Sequence, residues 1–328
     1  MYGLENIGGL ERVNAYLYEI LSQKYPVKII QKTKKPFRHG DWLFQSLLIS
    51  LKLFFIPNKV VVGTSWHSFL FPCDVTFHHG TTLGYMKHSH SFYKSGKRIA
   101  AMEHIGAVTA KKNIVVGEHV KDELIEFYNI PRRKITLLNN FVNDSLFIPQ
   151  LTSKNNTTIK IGFSGRLDER KGLDKLIALS NYIEKLDGFE LLIATHNENN
   201  ASLFKSNRKT KLCTGIPAEK MPDFYNSIDV LYFPTQYEGF SMATLECLSC
   251  GIPVVGTDWA VGKELSCFPF TKVIEYDTPP EALINYFKEM YELYHTRKRV
   301  IHEEISKNFG RKQYEDKLFE IISPLMEK

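Results

Sequence analysis

The run Pro234-Thr-Gln-Tyr-Glu238-Gly-Phe-Ser241-Met-Ala-Thr-Leu-Glu246-Cys-Leu-Ser-Cys250-Gly-Ile-Pro253 reads as a loop, a short helix and a stop. Ser241 has the hydroxyl of an N-cap, Met242 to Cys250 carries helical apolar spacing, and Gly251 with Pro253 ends it. Short apolar strands flank the run, Val230 to Phe233 before it and Pro253 to Gly256 after it. Strand, loop, helix and strand in that order form the repeating unit of a parallel sheet. Glu238 then stands in a loop at a helix N-terminus, and Glu246 lies about one turn into the helix. Backbone amides of Phe240 to Ala243 point outward from the helix start, where a phosphate or sugar hydroxyl gains hydrogen bonds and the helix dipole. A carboxylate accepts paired hydrogen bonds from neighbouring hydroxyls, which is what sugar and ribose diols present. Taken singly, each glutamate reads better as a dipole-stabilising charge or a solvated helix residue; the run as a whole does not.

A second segment, Ile161-Gly-Phe-Ser-Gly165-Arg166-Leu-Asp-Glu-Arg-Lys171-Gly172, takes a strand into a glycine turn. Arg166 and Lys171 flank that turn before a helix. Two fixed cations there neutralise a diphosphate and stabilise it as a leaving group. The competing reading is a solvated basic turn, since Arg170 lies between them.

Outward from these two segments the alternation continues. Ile159 to Phe163, Glu190 to Ala194, Val230 to Phe233 and Pro253 to Gly256 read as strands, Gly172 to Leu186 and Met221 to Ser227 as helices, and two helical runs close the chain. Thr152 to Thr158 lacks apolar residues and reads as a linker. In the N-terminal half, a Gly8-Gly9 pair opens an amphipathic helix with Val13, Tyr16, Leu17, Ile20 and Leu21 on one face. Val27 to Ile30, Lys59 to Val62, Val75 to Phe77, Ile105 to Thr109, Asn113 to Val116 and Ile135 to Leu138 read as strands, and Glu118 to Tyr128 as a helix. The expected fold is α/β, with two Rossmann-like domains facing across a cleft. Residues 1–150 form the N-terminal, acceptor-side domain and 151–305 the donor domain, with a helix over about 306–328 packing back on the first. A glycine turn of this kind follows a strand, yet only Met1 to Ile7 precede Gly8, so the first strand of the N-terminal domain is expected to be absent or replaced.

The 328 residues suffice for two domains of ordinary size, and the composition is that of a folded globular chain. A net charge of +6 suits anionic donors or lipid head groups; no basic-aromatic motif points to nucleic acid. Cys247 and Cys250 form a C-x-x-C inside an apolar helical stretch, without a second pair or a histidine cluster. They read as two buried small residues rather than a zinc or redox site, in a reducing cytoplasm. No signal peptide is visible, and Trp42 to Ile56 is too short for a membrane span.

The motifs Gly165-Arg166-Leu167 with Lys171-Gly172, then Glu238-x7-Glu246 with Cys250-Gly251-Ile252-Pro253-Val254-Val255, resemble family 4 of the retaining glycosyltransferases, of the B-type (GT-B) fold. Gly8-Gly9-Leu10-Glu11-Arg12, Val75 to Gly80 and Leu138 to Val142 carry a looser resemblance in the N-terminal half. The resemblance implies a glycosyltransferase that moves a hexose-type sugar from a UDP- or GDP-linked donor to a glycan or lipid-linked acceptor, as in surface polysaccharide biosynthesis. It assigns the donor diphosphate to Arg166 and Lys171, the transferred sugar to Glu238 and the ribose to Glu246. It assigns sugar and phosphate to the amides of Gly239, Phe240 and Ser241, the region near the base to Gly215 and Ile216, and phosphates or acceptor to Gly8 and Gly9. One of His78 and His79 faces the sugar; the other is a structural histidine. No Asp-x-Asp metal motif occurs, so neither a metal nor a cofactor is expected, the nucleotide-sugar being a substrate. Gly117, Asn140 to Asn143 and Ala194 to Glu198 depart from the family pattern.

Lys32, Lys34, Lys35 and Arg38 precede the apolar run Trp42 to Ile56, a pattern that suits a peripheral contact with the inner face of the membrane but suits a helix buried against the sheet somewhat better. The rival functional reading is a non-catalytic protein that keeps a sugar-nucleotide pocket.

Overall fold

The computed structural model describes residues 9–30, 41–64, 70–71, 73–89, 95–151, 157–196 and 199–327, with backbone only for 9–12 and 41–46. The chain divides into two compact units, Met1–Asn140 with Tyr314–Lys328, and Phe141–Gln313. The first boundary falls at Asn140, ahead of the polar stretch read as a linker, whose residues 152–156 lie outside the described ones.

The first unit begins with α1 (Gly9–Ser22) and α2 (Asp41–Phe54), followed by β1 (Val62–Thr64), β2 (Val75–His78), α3 (Thr82–His88) and α4 (Gly96–Thr109). Then come β3 (Lys112–Val115), α5 (Glu118–Tyr128) and β4 (Ile135–Leu137). The four strands pair in parallel in chain order, with Thr64 opposite Phe77 and His78 opposite Val115. Val13, Leu17, Ile20 and Leu21 of α1 are buried, as their helical spacing requires. Two expected strands are not strands. Ile105 to Thr109 is the last part of α4, and Val27 to Ile30 forms no strand among the described residues. Residues 1–8, where the first strand was expected to be missing, lie outside the described ones.

The second unit contains β5 (Ile159–Ser164), α6 (Leu173–Ile183), β6 (Phe189–Thr195), β7 (Thr210–Thr214), α7 (Met221–Ser227) and β8 (Val230–Phe233). It continues through α8 (Met242–Ser249), β9 (Val254–Thr257), α9 (Asp258–Leu265), β10 (Thr271–Ile274), α10 (Pro280–Tyr294) and α11 (Lys298–Phe309). All six strands are parallel, in the order β10-β9-β8-β5-β6-β7. Ile161, Phe163, Leu191, Ile193, Val230, Phe233, Val254 and Val255 are buried, the continuous apolar signature of strands covered on both faces. A final helix, α12 (Arg311–Met326), starts in this unit and returns to the first, where Tyr314, Leu318 and Ile322 are buried and the hydroxyls of Tyr25 and Ser323 lie 2.8 Å apart. Three helices thus close the chain where two were expected.

Among the described residues no helix is long and apolar enough to cross a membrane. Cys247 and Cys250 are buried free thiols, both pushed up by burial, with no pairing between them.

Candidate active site

In the second sheet the chain builds outward in one direction from β5 through β6 to β7, and in the other from β8 through β9 to β10. The strand order reverses between β5 and β8. At such a switch point the loops leaving the two carboxyl ends diverge, and the crevice between them is where ligands bind in open α/β sheets. The two loops here are Gly165–Gly172 and Pro234–Ser241, the two segments singled out by sequence.

They are bolted together. Gly172 is left-handed, with φ +79, and a Cβ there would meet the Pro234 carbonyl oxygen at 2.2 Å. The amide of Gln236 donates to the Arg170 carbonyl at 2.8 Å. Across this junction Lys171 Nζ is hydrogen-bonded to Glu238 Oε1. Arg170 donates to the same oxygen at 2.9 Å and to the Tyr237 carbonyl at 2.7 Å, and Thr235 Oγ1 donates to Glu238 Oε1 at 3.3 Å. Lys171 also sits over the Phe233 ring, 4.6 Å from its centroid. Burial pushes the Glu238 carboxyl up, but Lys171 and Arg170 outweigh it and hold the group below the usual carboxylate range. Burial lowers the Lys171 ammonium, with Glu238 opposing.

Arg166 projects further out, its side chain 58% exposed and its Nε 3.2 Å from Asp168. The Asp168 carboxylate also caps the turn by accepting from the Lys171 amide at 3.0 Å. Sequence reading set Arg170 aside as part of a solvated turn, yet it is one of the two cations on Glu238. Its contacts are to residues more than sixty positions away, so no local signal marks it.

Ser241 is the N-cap of α8, as expected, accepting from the Thr244 amide at 3.1 Å. The Thr244 hydroxyl lies 2.8 Å from both Ser241 Oγ and the Ala260 carbonyl, which ties the helix start to α9. Gly239 is buried in the turn before it, and the Phe240 ring packs against Phe309 of α11, leaving its backbone as the part available to a ligand. Glu246 is buried in α8, 3.3 Å from the Tyr225 hydroxyl, which also lies 3.3 Å from Ser164 at the end of β5. Gly215, left-handed at φ +66 with open space around it, follows β7, and Ile216 packs partly on the core.

In the first unit His78 ends β2 fully buried, with Nε2 2.9 Å from Asn113 Oδ1 on β3. Asn113 uses its amide nitrogen on the Ala107 carbonyl, so its oxygen accepts and His78 Nε2 carries the proton. His79 is half-buried just past the strand end, its ring stacked on Phe77, and burial together with His78 pushes it down to about 4. The structure therefore separates the pair: His78 is a sheet residue and His79 faces the strand's carboxyl end.

The turn after His79 is anchored by groups that sequence reading passed over. Thr81 caps α3, accepting from the Gly84 amide at 2.9 Å and donating to buried Glu123 at 2.7 Å. Buried Glu103 accepts from the Thr82 amide at 2.8 Å and from the Tyr128 hydroxyl, whose pKa burial and Glu103 raise. Gly9 is the first residue of α1, whereas Gly8, Lys32, Lys34, Lys35 and Arg38 lie outside the described residues.

Comparison with known proteins agrees with this geometry. Residues 145–307 match the model of the family described as glycosyl transferases group 1. The chain is 27% identical over 176 residues to an uncharacterized glycosyltransferase, MJ1607, of Methanocaldococcus jannaschii, covering 48% of this chain and 45% of that protein. It thus spans less than half the length of that relative. It is 24% identical over 296 residues to the alpha-galactosylglucosyldiacylglycerol synthase of Streptococcus pneumoniae, covering 78% and 77%. The solved structure of Anabaena Alr3699/HepE in complex with UDP-glucose superposes with a TM-score of 0.67 at 14% identity, over 94% of this chain and 89% of that one. At that identity the likeness shows the fold alone. Residues 145–307 are a glycosyl transferases group 1 domain, carried on a chain with the GT-B fold.

Proposed function

We propose that this chain transfers a hexose-type sugar from a UDP- or GDP-linked donor to a hydroxyl of a glycan or lipid-linked acceptor, in surface polysaccharide or glycolipid assembly. The transfer retains the anomeric configuration and uses no divalent metal. The observation that carries this reading is the clamp of Arg170 and Lys171 on Glu238 at the switch point of a sheet that matches glycosyl transferases group 1. The UDP-glucose complex of a protein with the same fold supports a nucleotide-sugar donor, and the glycolipid-synthase relative supports a lipid-linked acceptor.

In this reading the acceptor hydroxyl oxygen bonds the anomeric carbon on the face from which the nucleotide leaves, and the carbon–oxygen bond to the diphosphate breaks. Negative charge develops on the departing diphosphate, and its oxygen takes the hydroxyl proton. Lys171, held by Glu238 and Phe233, and the amides of Gly239 to Ser241 meet that charge from fixed positions, so little reorganisation is needed as it grows, and Arg166 reaches it from the exposed side of the turn. Glu238, kept ionised by its two cations, accepts hydrogen bonds from the transferred sugar, and Glu246 takes the ribose hydroxyls beside Tyr225. Gly215 and Ile216 flank the base. Of the two histidines offered for a sugar-facing role, His79 is the more exposed.

Release of nucleoside diphosphate, measured across a panel of UDP- and GDP-sugars with a glycolipid acceptor, tests this reading. The Glu238→Ala variant is expected to lose on the order of 100-fold in turnover, and EDTA is expected to leave the wild type unchanged. Full turnover in Glu238→Ala removes the role given to that residue, and loss of activity in EDTA removes the metal-free mechanism. If no common donor is hydrolysed or transferred, the chain is a sugar-nucleotide-binding protein without turnover.

A further inference from the structure

Helix α2 is apolar on two opposite faces. Ile49 and Leu53 line a cavity of about 440 Å³ that they share with Leu17 of α1, the strand β1 and Ile322 of α12. That volume lies within the range of small-molecule sites, roughly 300–1,000 Å³. The other face carries Leu47, Leu51 and Phe54, spaced four and three residues apart and therefore aligned. They are 50%, 51% and 81% exposed, and Phe55 beside them is 78% exposed.

The inner apolar face is accounted for by the cavity, and an exposed apolar patch of the outer kind marks an interaction surface. The charge along the same stretch of sequence selects the partner. From Ser22 to Val60 the sequence holds eight basic residues and a single acidic one, Asp41. Lys52 lies in the last turn of α2, and exposed Lys28 and Lys59 border the cavity. Apolar side chains flanked by lysines are the composition of a helix that lies in the head-group region of an anionic bilayer.

We propose that the outer face of α2 docks on an anionic lipid bilayer and that the cavity behind it takes one hydrocarbon chain of the acceptor lipid. This rests on the transferase reading above and narrows its acceptor to a lipid drawn from the membrane. The cavity runs along β1 to Thr64, which pairs in register with Phe77. A chain held there brings its head group to the end of the sheet where His79 stands.

Docking is read by flotation of the full chain with vesicles of phosphatidylcholine, alone or mixed with phosphatidylglycerol. The wild type is expected to float with the anionic vesicles and not with the neutral ones. The Leu51→Glu/Phe54→Glu variant, altered only at exposed positions, is expected to lose binding by ten-fold or more on the order of magnitude set by apolar burial. Equal flotation of the variant, or a dimer in light scattering that the variant dissociates without any flotation, overturns the docking.

The chain site is read with decyl phosphate below its micelle concentration. Saturable decyl phosphate binding raises the Tm of the wild type and of Leu53→Met, while Leu53→Trp, which fills the cavity, gives no shift. Equal shifts in all three, or the same shift with inorganic phosphate, overturn it. Flotation needs neither donor nor turnover. A chain that transfers sugar to a soluble acceptor but does not float overturns the docking alone, and one that floats without transferring sugar to any acceptor overturns the acceptor role.

Discussion

Arg170 and Lys171 both pair with Glu238 at the switch point, while Arg166 pairs with Asp168. The carboxylate fixes the two cations, and in the proposed reading Lys171 is then held ready for a diphosphate. A carboxylate alone or a cation alone at this depth carries an uncompensated desolvation cost; together they form a preorganised polar site. His79 is a separate titrating element. Its folded pKa of about 4 lies below the ordinary 6.5, so the unfolded chain binds a proton that the folded chain refuses. The stability this site contributes is fully present above about pH 6.5 and is lost as the pH falls toward 4. For a half-buried imidazole the loss is about 2 kcal/mol. His78, lowered by burial, acts in the same direction. Urea midpoints at pH 7.5 and 4.5 measure the slope; His79→Gln is expected to flatten part of it, and an unchanged slope places the titration elsewhere.

At the level of elements, the contact of Gly172 with Pro234 fixes the Lys171 turn to the loop that bears Glu238. Gly172→Ala forces a Cβ into that contact in a left-handed backbone and is expected to cost about 2 kcal/mol or more in stability. Because the displaced atoms carry Lys171, donor affinity falls with it; calorimetry with the nucleoside diphosphate reads both effects. Gly215→Ala, left-handed but in open space, lacks the clash and serves as the comparison.

Sequence pattern located β8, α7 and α5 because their apolar spacing matches their burial. It failed at α4, where the buried face is built mostly from Gly96, Ala100, Gly106 and Ala107, with Met102 and Glu103, while Ile105 and Val108 are 45% exposed. In its last part small residues lie inside and large ones outside, which reverses the usual signal, and Ile105 to Thr109 then reads as a strand. β7 was missed for a related reason, since Thr210–Thr214 is a polar strand at the sheet edge. In the site, Glu238 and Lys171 were legible as motif residues, and Ser241 as a cap. Arg170, Glu103 and Glu123 were not, because their partners lie far away in sequence.

Across the whole molecule the first unit is discontinuous, closed by residues 314–328. Those residues bury Tyr314, Leu318, Ile321 and Ile322, each contributing about 1.5–3 kcal/mol when an apolar side chain of that size leaves water. Deleting residues 314–328 is expected to expose α1 and unfold or loosen the first unit, with the second left intact. Hydrogen exchange reads this directly: the amides of α1 lose protection, and those of β5, β6 and β8 keep theirs. Uniform loss in both units would show that α12 stabilises the chain as one cooperative body.

The same discontinuity sets an order of events during translation. The second unit is contiguous and can collapse as soon as its own residues leave the ribosome, whereas the first, although made earlier, stays unfinished until α12 emerges. During that interval Tyr25 and the cavity beside Leu17 lack Phe319, Ile322 and Ser323 of α12, so the nascent N-terminal half is the part of the polypeptide that holds exposed apolar surface longest.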